Sequence, residues 1–238
     1  MRRALVIAAA LAAVTLSLPG GVEAARKEKK VDLIWTHPAF AGFGVDRIAM
    51  LPVSTFDNSI STERTVEAAF SPALKETGYR WVSVSTTRDL LRVAGGGSDS
   101  LLKLVRKSVL QNLRVDSLLV PGLCARLRAD AILAVRVDQW EQNLLEWDQS
   151  GKPSTSIQIK AALMDSTGTL LWSASGSQTG EGPYRDANAN PIGVSGGALA
   201  RTPITGQGGA PSFPEVLAPL VARWTPQFPA KAQPAKTP

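Results

Sequence analysis

The sequence predicts an α/β fold: a mixed sheet of about five strands, an N-terminal βαβ unit followed by an antiparallel three-strand meander, and helices mainly on one face. Three observations carry that expectation. Ile48, Ala49, Met50 and Leu51 are apolar without alternation, the pattern of a parallel strand covered on both sides. Val66, Ala69, Phe70, Ala73, Leu74 and Thr77 then recur at helical spacing on one face, with Gly78 placed to stop the helix. From Ala131 the apolar period falls to two and holds through three segments separated by turns.

The elements follow in chain order. Residues 1–24 have the layout of a secretory signal: Arg2 and Arg3, an apolar stretch to Leu18, a break at Pro19, Gly20 and Gly21, and small side chains at Val22 and Ala24. Cleavage is expected after Ala24, which places the mature chain in the periplasm. The apolar stretch is shorter than the roughly 20 residues of a spanning helix. Residues 25–46 read as an N-terminal arm. It opens on the basic run Arg26, Lys27, Glu28, Lys29, Lys30, expected to be solvated and capable of weak contact with an anionic surface. A single α/β domain is expected over residues 47–225.

Its first strand spans residues 47–53 and its second residues 79–84, with the helix between them making the crossover. Pro72 lies inside that helix, so a kink around residues 65–71, or two shorter helices, is expected. Ser85 can cap a short helix to Arg92. After Gly95, Gly96 and Gly97, Ser98 can cap another that carries Leu101, Leu104, Val105 and Leu113. The meander is read as strands at 131–147, 155–164 and 169–177. Residues 178–211, rich in Gly, Asn and Pro, read as a mobile loop, residues 213–224 as a last helix and residues 226–238 as a disordered tail.

Composition narrows the chemistry. The chain holds 26 Lys and Arg against 20 Asp and Glu; without the leader, 24 remain against 19. Few aromatics interleave with the basic residues, so nucleic-acid binding has little support. His37 is the only histidine and Cys124 the only cysteine, 87 positions apart, which supplies neither a zinc cluster nor a nucleophile and base pair. The glycine triplet lies between two helices with no Gly-Lys-Ser or Gly-Lys-Thr after it, so no phosphate cradle and no cofactor is expected.

Asp138, Glu141, Glu146 and Asp148 are the carboxylates that a glycan hydrolase would use as acid and base. Strict alternation puts Asp138 and Glu146 on one face with Arg136 and Gln142, and Glu141 on the other, the mixture expected where a strand runs past the core into solvent. Trp140 and Trp147 have opposite parity, so one of them is a candidate contact for a partner, with Arg136 nearby; packing against Trp172 is the alternative.

Four stretches carry a resemblance: Arg47-Ile-Ala-Met-Leu-Pro52, Pro72-Ala-Leu-Lys-Glu-Thr-Gly-Tyr79, Ala129-Asp-Ala-Ile-Leu133 and Leu163-Met-Asp-Ser-Thr-Gly-Thr-Leu-Leu-Trp172. Over residues 47–177 the chain resembles bacterial envelope proteins with the periplasmic α/β domain of the CsgG, LpoB and TolB N-terminal type. It is most similar to surface lipoproteins of unknown function. The resemblance implies an accessory or scaffold protein that binds a cell-envelope or peptidoglycan-associated partner in envelope assembly, secretion or penicillin-binding-protein support, without turnover. It brings no catalytic residue to carry over. The chain departs from the pattern in having no lipobox cysteine and no extension for a pore strand. A hydrolase working through the four carboxylates, or a periplasmic small-ligand binder lidded by the Gly-rich loop, are the other readings.

Overall fold

Parallel and antiparallel pairing meet in one sheet of this computed structural model, which describes residues 32–146, 149–185 and 209–231. The elements are β1 (Leu33–Thr36), β2 (Arg47–Met50), β3 (Ser54–Thr55), α1 (Ile60–Lys75), β4 (Arg80–Val82), α2 (Val84–Ala94), α3 (Ser100–Asn112), α4 (Val120–Leu127), β5 (Ala131–Asn143), β6 (Ser154–Asp165), β7 (Leu170–Glu181) and α5 (Phe213–Trp224). Strand order is β1-β7-β6-β5-β2-β4, and the two-residue β3 pairs with β5. β2 runs parallel to both β4 and β5, while β5, β6, β7 and β1 are antiparallel in succession.

The βαβ unit and the meander are both present. The sheet has seven strands where about five were expected, because β3 and β1 escaped the sequence reading. β1 lies inside the stretch taken as an arm and pairs Leu33 with Ser175 and Trp35 with Ser173. Its apolar content is too short to show a period. Only long-range pairing and the bidentate ion pair from Arg223 of α5 to Asp32 make it a strand.

Helices cover both faces, contrary to the one-sided expectation. α1 and α5 bury Val66, Phe70, Leu74, Val216, Leu220 and Trp224 on one side, against Ile48, Met50, Leu133 and Leu163. α2, α3 and α4 bury Leu91, Val105, Val109, Leu123 and Leu127 on the other, against Ala49, Leu51, Ile132 and Ala134. Consecutive residues of β2 and of β5 alternate between the two cores, so an apolar run without period is what two covered faces require.

Local chemistry sets the ends. Ser59 and Ser83 each accept an amide hydrogen bond three residues on, capping α1 and α2. The Asp130 carboxylate accepts from the Asp46 and Arg47 amides at 3.0 and 2.8 Å, tying the start of β2 to that of β5. α1 runs unbroken through Pro72, because the proline sits in the last turns on the solvent side, where the unpaired carbonyl four residues back meets water. Gly78, at φ 78°, then turns the chain into β4.

α4 was not anticipated. Its Val120, Leu123, Cys124 and Leu127 fall at helical spacing, and Pro121 and Gly122 make its first turn. The carboxyl end also differs from expectation: Phe228, beyond the last helix, is buried against Tyr79, Trp81 and Trp172, and the Tyr79 hydroxyl donates to the Pro229 carbonyl. Most of the expected Gly-rich loop, residues 186–208, and the last seven residues of the tail lie outside the described residues.

Candidate functional site

On the α2–α4 side the second core stops at Met164 of β6, with Leu170 packed against it. Past that point, among the described residues, one face of β5, β6, β7 and β1 has no helix in the core clusters over it. Its rows are Arg136, Lys160, Ser175 and Leu33; then Gln139, Gln158 and Ser177; then Glu141, Ser156 and Thr179. Half-buried hydroxyls and amides fill the middle, and two exposed apolar side chains stand at the β1 edge, Leu33 (72%) and Trp35 (43%). A shallow recess joins Leu33 and Trp35 to Leu113 at the end of α3.

Asp138 is the hinge of this face. It is the extra residue of a β-bulge: Val137 faces Ile159 while Gln139 faces Gln158. Its carboxylate takes Arg136 Nε at 2.6 Å and Lys160 Nζ at 2.7 Å. Burial opposes the charge, but the Arg136 and Lys160 hydrogen bonds outweigh it and hold the carboxyl below its ordinary range. A general acid needs the reverse. Arg136 also donates to the Leu110 carbonyl at 2.8 Å, so it spans the sheet and the carboxyl end of α3 rather than reaching outward.

The bulge corrects the parity argument. Beyond it Glu141 lies on the open face with Asp138, taking a hydrogen bond from Gln139, while Gln142 turns to the α5 side and donates to Thr155 and Pro211. Trp140 also faces α5, stacked on Phe213 with centroids 4.4 Å apart and planes 9° from parallel. Trp172 packs on Trp224 and Phe228 instead of on Trp140. β5 ends at Asn143, four residues short of the expected boundary; Glu146 is exposed, and Trp147 and Asp148 lie outside the described residues.

His37 accepts the Ala39 amide through Nδ1 and packs edge-on to Trp35 and Phe43, in the turn after β1. Cys124 is buried in the α4 core, where burial pushes its thiol up to about 11. Among the described residues no three histidine, cysteine or acidic side chains gather in a metal-binding group.

One cluster had no signal in the sequence. Glu63 of α1 is 5% exposed and pairs with Arg106 of α3 and with Arg88 of α2 at 3.4 Å; Arg88 also reaches Glu67 at 3.3 Å, and Arg106 the Val53 carbonyl at 3.4 Å. Burial raises the Glu67 pKa and lowers that of Arg106. The four side chains clamp three helices together at the carboxyl end of β2. A cleft of about 300 Å³ adjoins them, with Glu67, Lys75, Trp81 and Ser83 in its lining. Every described residue in that lining belongs to β2, α1, β4, α2 or the links between them.

No family model matches the chain and no curated protein is similar to it. Among solved structures it is similar to a lipoprotein from Neisseria meningitidis at 19% identity and a TM-score of 0.44, covering 61% of this chain and 88% of that one. It is also similar to the PelC dodecamer from Paraburkholderia phytofirmans (16% identity, TM-score 0.34, 68% and 85% covered). A third is the LpoB C-terminal domain from Salmonella enterica (15% identity, TM-score 0.32, 56% and 82% covered). A lipoprotein and an LpoB domain are thus among the similar structures, as the resemblance in the sequence implied. At these scores the likeness carries no activity, ligand or partner.

Proposed function

We propose that the chain is a non-catalytic accessory protein of the cell envelope, exported to the periplasm, that holds an envelope protein or peptidoglycan-associated partner against the uncovered half of its sheet. The observation that supports this reading is the free edge strand β1. It is anchored to α5 through Asp32 and Arg223 and offers exposed Leu33 and Trp35 beside a face of serine, threonine and glutamine. An extended segment of a partner can add to such an edge by main-chain hydrogen bonds while its alternate side chains meet the two apolar ones. In this reading Trp147, in the sequence between β5 and β6, is a second contact. Trp140 supports the face from behind, and Arg136 holds its first row in shape through Asp138 and the Leu110 carbonyl.

A photo-crosslinking side chain placed in living cells at position 35, at 147, or at the exposed Val93 as a control tests it. The expected result is one envelope protein captured from 35 and 147, and lost when Ile34→Pro removes an edge amide. Equal capture from position 93, or turnover of a glycan by the purified chain that Asp138→Asn abolishes, sinks the proposal.

A further inference from the structure

Charge is segregated in this chain. Residues 100–129, which make α3, the turn after it and α4, carry Lys103, Arg106, Lys107, Arg114, Arg126 and Arg128 against the single acid Asp116. The rest of residues 32–231 holds 13 basic residues against 17 acidic. The near-neutral middle of the chain is therefore a basic layer set against an acidic remainder.

Part of that charge is already engaged. Arg106 pairs with Glu63, and Arg126 donates to the Ala94 carbonyl. Lys103, Lys107 and Arg114 are exposed, and none has a carboxylate partner among the described residues. Lys107 and Arg114 line, with the exposed Leu104 (48%) and Leu118 (87%), a groove of about 590 Å³ between α3 and residues 114–119, and Lys103 lies one helical turn before Lys107 on α3. The Ser108 hydroxyl donates to the Arg114 carbonyl at 3.0 Å, and the Asp116 carboxylate accepts the Leu118 amide at 2.9 Å, so the turn holds both rims in place.

We propose that this face docks on a bilayer surface rich in anionic phospholipid. Lysine and arginine heads on flexible apolar stems reach phosphate, and protruding leucines enter the acyl boundary without needing a shaped receptor. A folded partner would instead be expected to meet apolar side chains recessed in a slot. Here they stand out from it. The surface meets the β1 edge at Leu113, whose neighbours Asn112 and Arg114 line the groove, so a docked chain would hold that edge beside the membrane.

The test is co-sedimentation of the chain from Ala25 onward with phosphatidylcholine vesicles, alone or with phosphatidylglycerol at about a third of the lipid. Binding is expected only to the anionic vesicles and is expected to weaken with salt. At about fivefold per cation near the surface, the triple variant Lys103→Glu, Lys107→Glu, Arg114→Glu is expected to lose at least about a hundredfold in partitioning. Its melting temperature should stay unchanged, since all three side chains are exposed. Leu104→Ser with Leu118→Ser should weaken binding about tenfold or more. A variant with Arg26, Lys27, Lys29 and Lys30 replaced by serine should retain most of it.

Failure to sediment with anionic vesicles, equal binding to neutral ones, or loss in the arm variant but not in the triple variant overturns the proposal. So does a triple variant that still binds vesicles but no longer binds polyglutamate, since the face would then serve an acidic protein. Loss of the crosslink from position 35 would count against the partner reading and leave the lipid result untouched.

Discussion

The two halves of the sheet differ in how many of their faces are covered. β2 and the first half of β5 lie between α1 with α5 on one side and α2 to α4 on the other, and their residues are buried whichever way they point. β6 and β7 are covered fully by α5 alone; past Ala161 toward the β5–β6 hairpin tip, the other face alternates through Lys160, Gln158 and Ser156. The covered half makes the fold. The half-covered one leaves a face of polar side chains, and its exposed edge strand, β1, is tied to α5 by an ion pair and packs only Ile34 on the core.

Four substitutions probe that contrast, in order of decreasing effect. Glu63→Ala leaves Arg106 half-buried beside a carbonyl, and losing one partner of a buried pair costs about 3–5 kcal/mol. For a domain of this size that is a fall of about 10 °C in melting temperature, readable by calorimetry. A fall of only a degree or two would mean that the clamp on the three helices is solvated. Gly176→Ala drives a methyl into the Asp32 carboxylate and to 2.9 Å from Leu220, so the β1 anchor or α5 must move. Overpacking of this kind costs about 1–3 kcal/mol, and a urea titration should show it without a change in slope.

Asp138→Asn tests whether the open face has electrostatic structure of its own. The folded carboxyl is held below its unfolded value, so its contribution is complete above about pH 4 and is lost as pH falls through the lowered folded value. The stability gap between wild type and variant should therefore be constant from pH 5 to 7 and close in more acid solution. A gap that persists in acid would point to lost packing. The smallest effect belongs to Gln158→Ala, mid-strand on the uncovered face, which should stay within about 0.5 kcal/mol. A larger loss would mean that something covers this face.

The legible parts of the fold were those with a period long enough to repeat. α1, α3, α5 and the three long strands all carry several turns or alternations in one direction. β6 was read nearly to the residue, since Ile157, Ile159, Ala161 and Leu163 face α5 without interruption. The misreadings share a cause, because β1, β3 and α4 are too short or too interrupted for a pattern, and their pairing comes from distant residues. The bulge is the sharpest case. One added residue at Asp138 reversed the assignment of Glu141 and Gln142, and no local signal marks it, since the register of β5 is set by β6.

The candidate site was half legible for the same reason. Arg136, Asp138 and Trp140 were singled out, but their roles as clamp, hinge and stacked support depend on Lys160, Leu110 and Phe213, which neighbour them only in space. Trp35 gave no hint of lying on a strand edge.

Residue order alone determined the α/β class, the parallel unit followed by a meander, and the scarcity of histidine and cysteine, because these depend on hydrophobic period and on counting. Only the tertiary structure decided that helices cover both faces, that Glu63 and Arg106 meet, and that Trp35 lies on a sheet edge beside β7. Each of those joins segments tens of residues apart, and their contact energies exist only once the sheet has brought them together.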